Sequence, residues 1–193
     1  MNTPSTGAAY AALSLAAVLW GGSIVAQKLA LGSFSAVEAS VLRDIGGLAI
    51  LLTTWWWKEG KLATFAAADV RTLFFLGLGV LGNHLLILYG LHYVSGAVAG
   101  VIIGSAPVVT ALLSSVMIQD VPLRAVWMGG LLSCAGVALV SVAGFQAAGE
   151  HPFLGSVLVF LGVVSWALYS IGSRAVMDRV SALTVNWTTL LVA

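Results

Sequence analysis

Residues 72–119 read TLFFLGLGVLGNHLLILYGLHYVSGAVAGVIIGSAPVVTALLSSVMIQ and contain no Asp, Glu, Lys or Arg. A membrane-spanning helix needs roughly 20 predominantly apolar residues, so this stretch has room for two of them. Only helices and closed barrels satisfy the backbone inside a bilayer, and the strict alternation of barrel strands is absent. The stretch therefore predicts two transmembrane helices, over residues 72–93 and 96–118.

The rest of the chain has a similar composition. Of its 193 residues, 60% are hydrophobic and only 8% are charged, whereas a soluble domain carries about 25% charged residues. The apolar intervals between charges predict four further spans, which are residues 9–30, 36–57, 124–146 and 153–175. With a seventh span beginning near Ala182, the predicted fold is an all-α polytopic transmembrane helix bundle.

The few charges indicate orientation and exclude some partners. The net charge is +1 without any basic run, so a nucleic-acid partner is not expected. The single cysteine, Cys134, permits neither an internal disulfide nor a cysteine metal site, and we expect no metal or cofactor. In the short loops six Lys and Arg residues lie on the side of the N-terminus, and only Lys28 lies on the other. This bias predicts a cytoplasmic N-terminus, and we expect an integral protein of the bacterial inner membrane.

A weak internal repeat appears at an offset of 146 residues. It aligns Trp20 with Trp166 and Ser35 with Ser181. Five spans separate the two copies, and an odd number inverts the second copy in the membrane, as in many secondary transporters.

The repeat divides the chain into two predicted domains. The first five-helix repeat covers residues 1–148, and a second repeat begins at residues 149–193 with helix 6 and part of helix 7. The stretch from Ala182 to Ala193 is too short to cross a membrane, so we expect the sequence to be a C-terminally truncated form of a longer protein.

Several short motifs occur in a fixed order along the spans. They are Leu19-Trp20-Gly21-Gly22-Ser23, Arg43, the run from Tyr93-Val94-Ser95-Gly96 to Ala106-Pro107-Val108-Val109, and Asp120 followed by Gly129 and Gly136-Val137. In order and spacing they resemble the EamA-type ten-helix branch of the drug/metabolite transporter superfamily. Gly155 through Ser165-Trp166-Ala167-Leu168-Tyr169 resembles the start of its second repeat. Asp120 departs from the pattern, because the family usually has Glu there.

The resemblance implies a transporter of metabolites, often amino acids or related compounds, commonly in the outward direction. It also implies that helices 8 to 10 and most of helix 7 lie beyond this sequence.

Candidate substrate-binding residues lie on one face of each repeat's first helix. Trp20, Ser23 and Gln27 share a face in the first span, and Trp166 and Tyr169 share one in the sixth. Two such aromatic and hydrogen-bonding stripes suit the walls of a central cavity. The alternative is that these side chains pack against neighbouring helices and bond a local carbonyl.

Polar and charged residues within the spans are the second group of candidates. Asn83 and His84 lie in the middle of the third span, where exposure to lipid would leave their donors unpaired. His84 can bond a substrate, take up a proton or be a structural histidine. Arg43 can bind a substrate carboxylate or form a structural ion pair. A direct pair between Arg43 and Asp44 looks awkward because neighbours in a helix point about 100° apart, so partners on another helix or headgroups are expected.

The fourth span carries a proline and a glycine stripe. Pro107 cannot donate to the carbonyl of Ile103 and predicts a kink, beside which Ser105 offers a hydroxyl to a substrate. The stripe predicts close packing against another helix or a second subunit, so a homodimer stays open. It consists of Gly96, Gly100 and Gly104.

Three functions are compatible with the sequence. The leading hypothesis is a secondary-active transporter that works by alternating access, with a small-molecule substrate and the lipid bilayer as its partners. A non-transporting membrane subunit that associates through glycine-rich faces is an alternative. An intramembrane hydrolase would need Ser105 and His84 as nucleophile and base, but no nucleophile elbow accompanies them, so no enzyme is expected.

Overall fold

The computed structural model describes residues 6–60, 65, 67–119, 124, 126–132, 135 and 151–193, and in these ranges all regular structure is helical. The long helices are α1 Thr6–Ala30, α2 Ala36–Lys58, α3 Ala67–Tyr93, α4 Gly96–Gly104, α5 Ala106–Met117, α6 Pro152–Met177 and α7 Ala182–Val192. Residues 126–132 are also helical, but most of the predicted fifth span, with Asp120, Cys134 and the Gly136-Val137 motif, lies outside the described residues.

Four stretches in the described part are long and apolar enough to cross a membrane. They are Thr6–Ala30, Ala68–Tyr93, Gly96–Met117 and Pro152–Met177. The predicted all-α polytopic bundle is thereby confirmed. The largest boundary error is at α3, which begins at Ala67 instead of residue 72, because its first turns carry charged residues that the hydrophobic criterion leaves out.

The fourth span is broken at Ser105, which separates α4 from α5. Pro107 has no N–H for the carbonyl of Ile103, and the chain uses shorter contacts at this point. The Ser105 amide donates to the carbonyl of Ile102 at 3.1 Å, and the Ser105 hydroxyl donates to that same carbonyl at 2.6 Å. The break lies two residues before Pro107, and the kink expected at Pro107 itself stays a prediction.

The most extensive helix packing in the described part joins α3 to α6. A Cβ added to Gly155 would lie 2.7 Å from Cβ of Tyr93, and one added to Gly90 would lie 2.5 Å from Cγ2 of Val159. Gly162 meets Ile87 in the same way, at 2.8 Å. The absence of side chains on these glycines lets the two backbones approach closely.

The predicted glycine stripe has no such neighbours among the described residues. A Cβ added to Gly96 or Gly100 would find no atom within 4 Å, and Gly104 is the last residue of α4, next to the break. A packing role for this stripe stays a prediction, whereas the close packing that is observed uses glycines for which the sequence predicts no packing role.

Two side-chain hydrogen bonds join the same helices. Asn83 Nδ2 donates to the carbonyl of Gly162 at 2.9 Å, and Ser165 Oγ donates to the carbonyl of Gly79 at 2.8 Å. Each provides a partner for a polar group that would otherwise be unpaired in an apolar interior.

Replacing Ser165 with Ala is expected to lower the free energy of unfolding by about 0.6 kcal/mol, and by no more than about 1.7 kcal/mol, as interhelical hydrogen bonds in membranes do. Equilibrium unfolding in mixed micelles measures the change. Ser156→Ala is the matched control, because Ser156 Oγ donates within its own helix to the carbonyl of Pro152. Equal losses in the two variants would contradict the prediction.

The helix bounds repeat at the offset found in the sequence. α2 and α7 begin at Ala36 and Ala182, which are 146 residues apart. Their N-caps match as well, since Ser35 accepts the amide of Glu38 and Ser181 accepts the amide of Thr184. The equivalence of the two helix pairs and the domain boundaries at residues 148 and 149 stay predictions.

Candidate functional site

Most of the predicted substrate-binding residues line one cavity of about 240 Å³, which we call the central cavity. Five helices form it, α1, α2, α3, α4 and α6. Its lining residues are Trp20, Ser23, Ile24, Gln27, Arg43, Asn83, His84, Ile87, Ile103 and Trp166. Residues far apart in the sequence thus meet on one surface, as the two stripes predict.

Aromatic rings form one wall. The ring centroids of Trp20 and Trp166 are 6.2 Å apart, and those of Trp166 and Tyr169 are 5.2 Å apart. Both separations lie in the range of attractive ring contacts. The row offers an apolar surface for stacking or for contact with a cation.

A charged network contributes Gln27, Arg43 and His84 to the lining. His84 Nδ1 lies 2.9 Å from Asp44 Oδ2, and Arg43 Nε lies 3.3 Å from Asp44 Oδ1. Arg43 Nη1 also donates to Gln27 Oε1 at 3.4 Å, and Ser40 Oγ donates to Asp44 at 3.3 Å. The network connects α1, α2 and α3 and compensates the charges within the bundle.

The structure corrects one expectation about this network. Arg43 and Asp44 do contact each other directly, although they are neighbours on one helix. The arginine side chain is long enough for Nε to reach across the 100° between the two positions. The expected partners on other helices are present too, since Gln27 and His84 lie on α1 and α3.

Tyr169 lines a second cavity of about 330 Å³ between α2, α3, α6 and α7. Arg43, His84 and Trp166 line both cavities. The Tyr169 hydroxyl donates to Asn186 Oδ1 at 2.9 Å, which places Asn186 in the same wall.

Several candidate side chains form hydrogen bonds with backbone carbonyls. Ser23 Oγ donates to the carbonyl of Trp20 at 2.7 Å, and Asn83 bonds Gly162 across the α3–α6 contact. Ser105 lines neither cavity, and its hydroxyl bonds the carbonyl of Ile102. Ser23 and Asn83 therefore help to shape the central cavity, and Ser105 lies apart from both cavities.

Lys28 connects α1 to the end of α3. Its Nζ donates to the carbonyls of Leu91 and Val94, the latter at 3.0 Å. A cation at a helix C-terminus satisfies carbonyls that lack helical partners and interacts favourably with the helix dipole.

Three polar residues of the cavities are not among the candidates from the sequence. Asp44 was noted only as a buried charge, and Asn186 and Thr189 were not considered. The repeat offset contains the missing signal, because shifting Ser40 and Arg43 by 146 residues gives Asn186 and Thr189.

Comparison with known proteins identifies the family. The model of the EamA-like transporter family matches residues 7–142, which is more than half of the chain. The chain belongs to the EamA-like transporter family. The resemblance seen in its motifs is therefore confirmed, and an EamA-like protein with these apolar helices is an integral membrane protein of a transporter family.

Two curated relatives from Bacillus subtilis (strain 168) agree with this assignment. The EamA-like chain is 25% identical to the uncharacterized transporter YetK over 181 residues, which are 92% of this chain and 55% of YetK. It is 26% identical to the uncharacterized transporter YyaM over 180 residues, which are 91% of this chain and 59% of YyaM. The chain thus spans just over half the length of these relatives. No solved structure matches it significantly.

Proposed function

We propose that the protein is a secondary-active transporter of small metabolites, such as amino acids or related compounds, which works by alternating access. The supporting observation is the central cavity, where residues of both repeats meet. Secondary transporters with inverted repeats bind substrate at the repeat interface, where one repeat rocks against the other.

The lining suits a small molecule with an apolar part and a carboxylate. The volume of about 240 Å³ lies below the roughly 300–1,000 Å³ of typical ligand pockets, so it favours a small substrate. Trp20 and Trp166 provide stacking surface, and the planar guanidinium of Arg43 matches a carboxylate with two parallel hydrogen bonds.

Contacts between loops and helix ends support a motion that opens one side of the bundle. Arg179 Nη2 lies 2.5 Å from Asp69 Oδ1, and Thr184 Oγ1 donates to Glu59 Oε2 at 2.9 Å. These pairs join α3 and the end of α2 to the region around the α6–α7 turn. A motion that opens this side would have to separate the Arg179 side chain, which is 60% exposed, from the Asp69 side chain, which is 9% exposed.

The type of membrane, the orientation of the chain in it and the direction of transport are part of the proposal. The excess of Lys and Arg on the side of the N-terminus supports a cytoplasmic N-terminus in a bacterial inner membrane. We propose net export, because the chain resembles transporters that commonly move metabolites outward.

No observation in the described contacts favours the hydrolase. Ser105 bonds the carbonyl of Ile102 and His84 contacts Asp44, so these contacts do not join a nucleophile to a base.

Replacing Trp166 with Ala is expected to reduce the flux of the best substrate by at least about tenfold, because it removes ring contacts on the wall shared by both cavities. The assay measures uptake and efflux of a labelled metabolite panel in proteoliposomes of the full-length protein. Trp57→Ala is the control, since Trp57 is 83% exposed at the end of α2 and should keep its flux. If the wild type moves nothing in the panel under any imposed gradient, the transport function is wrong.

A further inference from the structure

The Asp44 carboxylate has three partners within the described residues. The imidazole of His84, the guanidinium of Arg43 and the hydroxyl of Ser40 all contact it. The contact with His84, at 2.9 Å, is the shortest of the three, and the others are 3.3 Å long. The contact with Arg43 is therefore longer than the roughly 2.7–2.9 Å that is usual between a guanidinium and a carboxylate.

The geometry defines where a proton can be added. A carboxylate only accepts hydrogen bonds, so Nδ1 of His84 carries the proton in this contact. In the neutral ring Nε2 is then the basic nitrogen, and the position for a second proton. An imidazolium at this position would lie beside a carboxylate of opposite charge. Histidine is also the side chain that changes charge most readily between about pH 5 and 8.

Arg43 has unused capacity for a ligand. Its contacts with Asp44 and Gln27, at 3.3 and 3.4 Å, occupy two of the five guanidinium N–H donors, counted over the described residues. Arg43 also lines both cavities, and its side chain is 35% exposed. A carboxylate that enters the central cavity therefore finds donors on Arg43 without first breaking a short ion pair.

The charge balance couples the binding of an anion to Arg43 with the uptake of a proton by His84. With neutral His84, the charges of Arg43 and Asp44 cancel, and an entering anion would leave one uncompensated negative charge in the bundle, which is costly. A proton on His84 restores neutrality and gives Asp44 its own counter-charge, so that Arg43 can turn to the ligand. We propose that His84 takes up a proton when an anionic carboxylate binds Arg43, so that the anion and the proton leave the cell together, driven by the outward gradient of the anion. This inference rests on the proposed transport function.

The other charged and titratable groups near the network are few. Tyr169 on α6 lines the second cavity with His84, and its hydroxyl bonds Asn186. On α1, Lys28 is bound to the carbonyls of Leu91 and Val94. The described parts of α4 and α7 carry no Asp, Glu, Lys, Arg or His. Among the described residues, His84 is thus the group of the cavity walls that best suits uptake of the coupled proton.

Calorimetric titration of the full-length protein in detergent near pH 7.5 tests the coupling. The two probes are phenylpyruvate, an anion, and phenylalanine, a zwitterion with the same ring. Titrations in phosphate and in Tris, which differ in ionisation heat, give the number of protons taken up. We expect about one proton per bound phenylpyruvate and none per phenylalanine, since linkage makes proton and anion binding mutually favourable.

Two variants separate a proton site from a merely structural role. His84→Gln should bind phenylpyruvate more weakly and without proton uptake. Asp44→Asn should also lose the uptake but keep or improve its affinity, because removing the negative charge compensates the anion directly. His92→Gln is the control, as His92 lies at the end of α3 against Tyr93, and it should behave like the wild type.

Several outcomes would overturn the inference. They are phenylpyruvate binding without proton uptake in the wild type, unchanged uptake in His84→Gln, weaker phenylpyruvate binding in Asp44→Asn, and no binding of either probe. Flux of a metabolite in proteoliposomes, together with any of these results, refutes the coupling and leaves the transport function intact. Proton-linked binding without any flux would instead refute the transport function.

Discussion

The variant Arg43→Ala is expected to lose about 10- to 100-fold of the substrate flux of the wild type in proteoliposomes. Hydrogen bonds to a charged group contribute about 1.5–3 kcal/mol, and each 1.4 kcal/mol corresponds to about tenfold in binding. Removing the guanidinium also leaves the Asp44 carboxylate facing the cavity with only His84 and Ser40 as partners. Initial rates at substrate concentrations below saturation measure the effect.

Two further variants show whether the loss is specific. Arg43→Lys keeps the charge but lacks the planar fork, so it should recover only part of the flux. Lys58→Ala removes an exposed cation at the end of α2 and should retain the flux of the wild type. Flux in Arg43→Ala within about twofold of the wild type, in protein of equal purity and homogeneity, would show that Arg43 does not contact the substrate.

The second large effect is expected from Gly155→Ala, which should destabilise the bundle by about 1–3 kcal/mol or more. The added methyl group would lie 2.7 Å from Cβ of Tyr93, 2.8 Å from Cγ1 of Val94 and 2.9 Å from the carbonyl oxygen of Gly90. Because a Cβ and a carbonyl move only with the backbone, α3 and α6 would have to separate. Thermal unfolding in detergent and the fraction of monodisperse protein measure the change.

Gly100→Ala is the matched control for this substitution. Gly100 lies inside α4, and an added Cβ meets no described atom within 4 Å. Alanine also favours a helix more than glycine does, so the control should be neutral or slightly stabilising. If the two variants were equally stable, the α3–α6 contact would not be the tight interface that the structure indicates.

The fold could be predicted from the sequence because its main signal is local. A run of apolar residues as long as a bilayer core defines a span without knowledge of its neighbours. Pro107 likewise acts on its own turn, and the break at Ser105 follows from its missing N–H. A run of apolar residues does not detect charged first turns, so the sequence predicts a loop where α3 begins.

Helix pairing could not be predicted in the same way. The stripe from Gly96 to Gly104 is a local pattern, whereas the observed contact joins Gly90 to Gly155 and Val159 across a long sequence separation. A small residue permits close approach but does not specify the helix that approaches.

The candidate site was predictable only in part, because helical spacing indicates which face a residue shares but not which side chains it contacts. Helical spacing and the repeat offset predict that Trp20 and Trp166 both line a central cavity, and the structure brings their rings together. The direct contact between Arg43 and Asp44 depends on side-chain conformation, which a helical-wheel argument leaves out. Asn186 enters the site through its bond with Tyr169, a contact that exists only in the folded chain.

The contact between Trp20 and Trp166 has a consequence for any motion between the two halves. They are equivalent positions of the proposed repeat, and two equivalent residues can touch only close to the pseudo-two-fold axis that interchanges them. Points near such an axis travel least when the halves swing in opposite senses. The distance between the two indole rings would then change little, while helix ends far from the axis exchange partners.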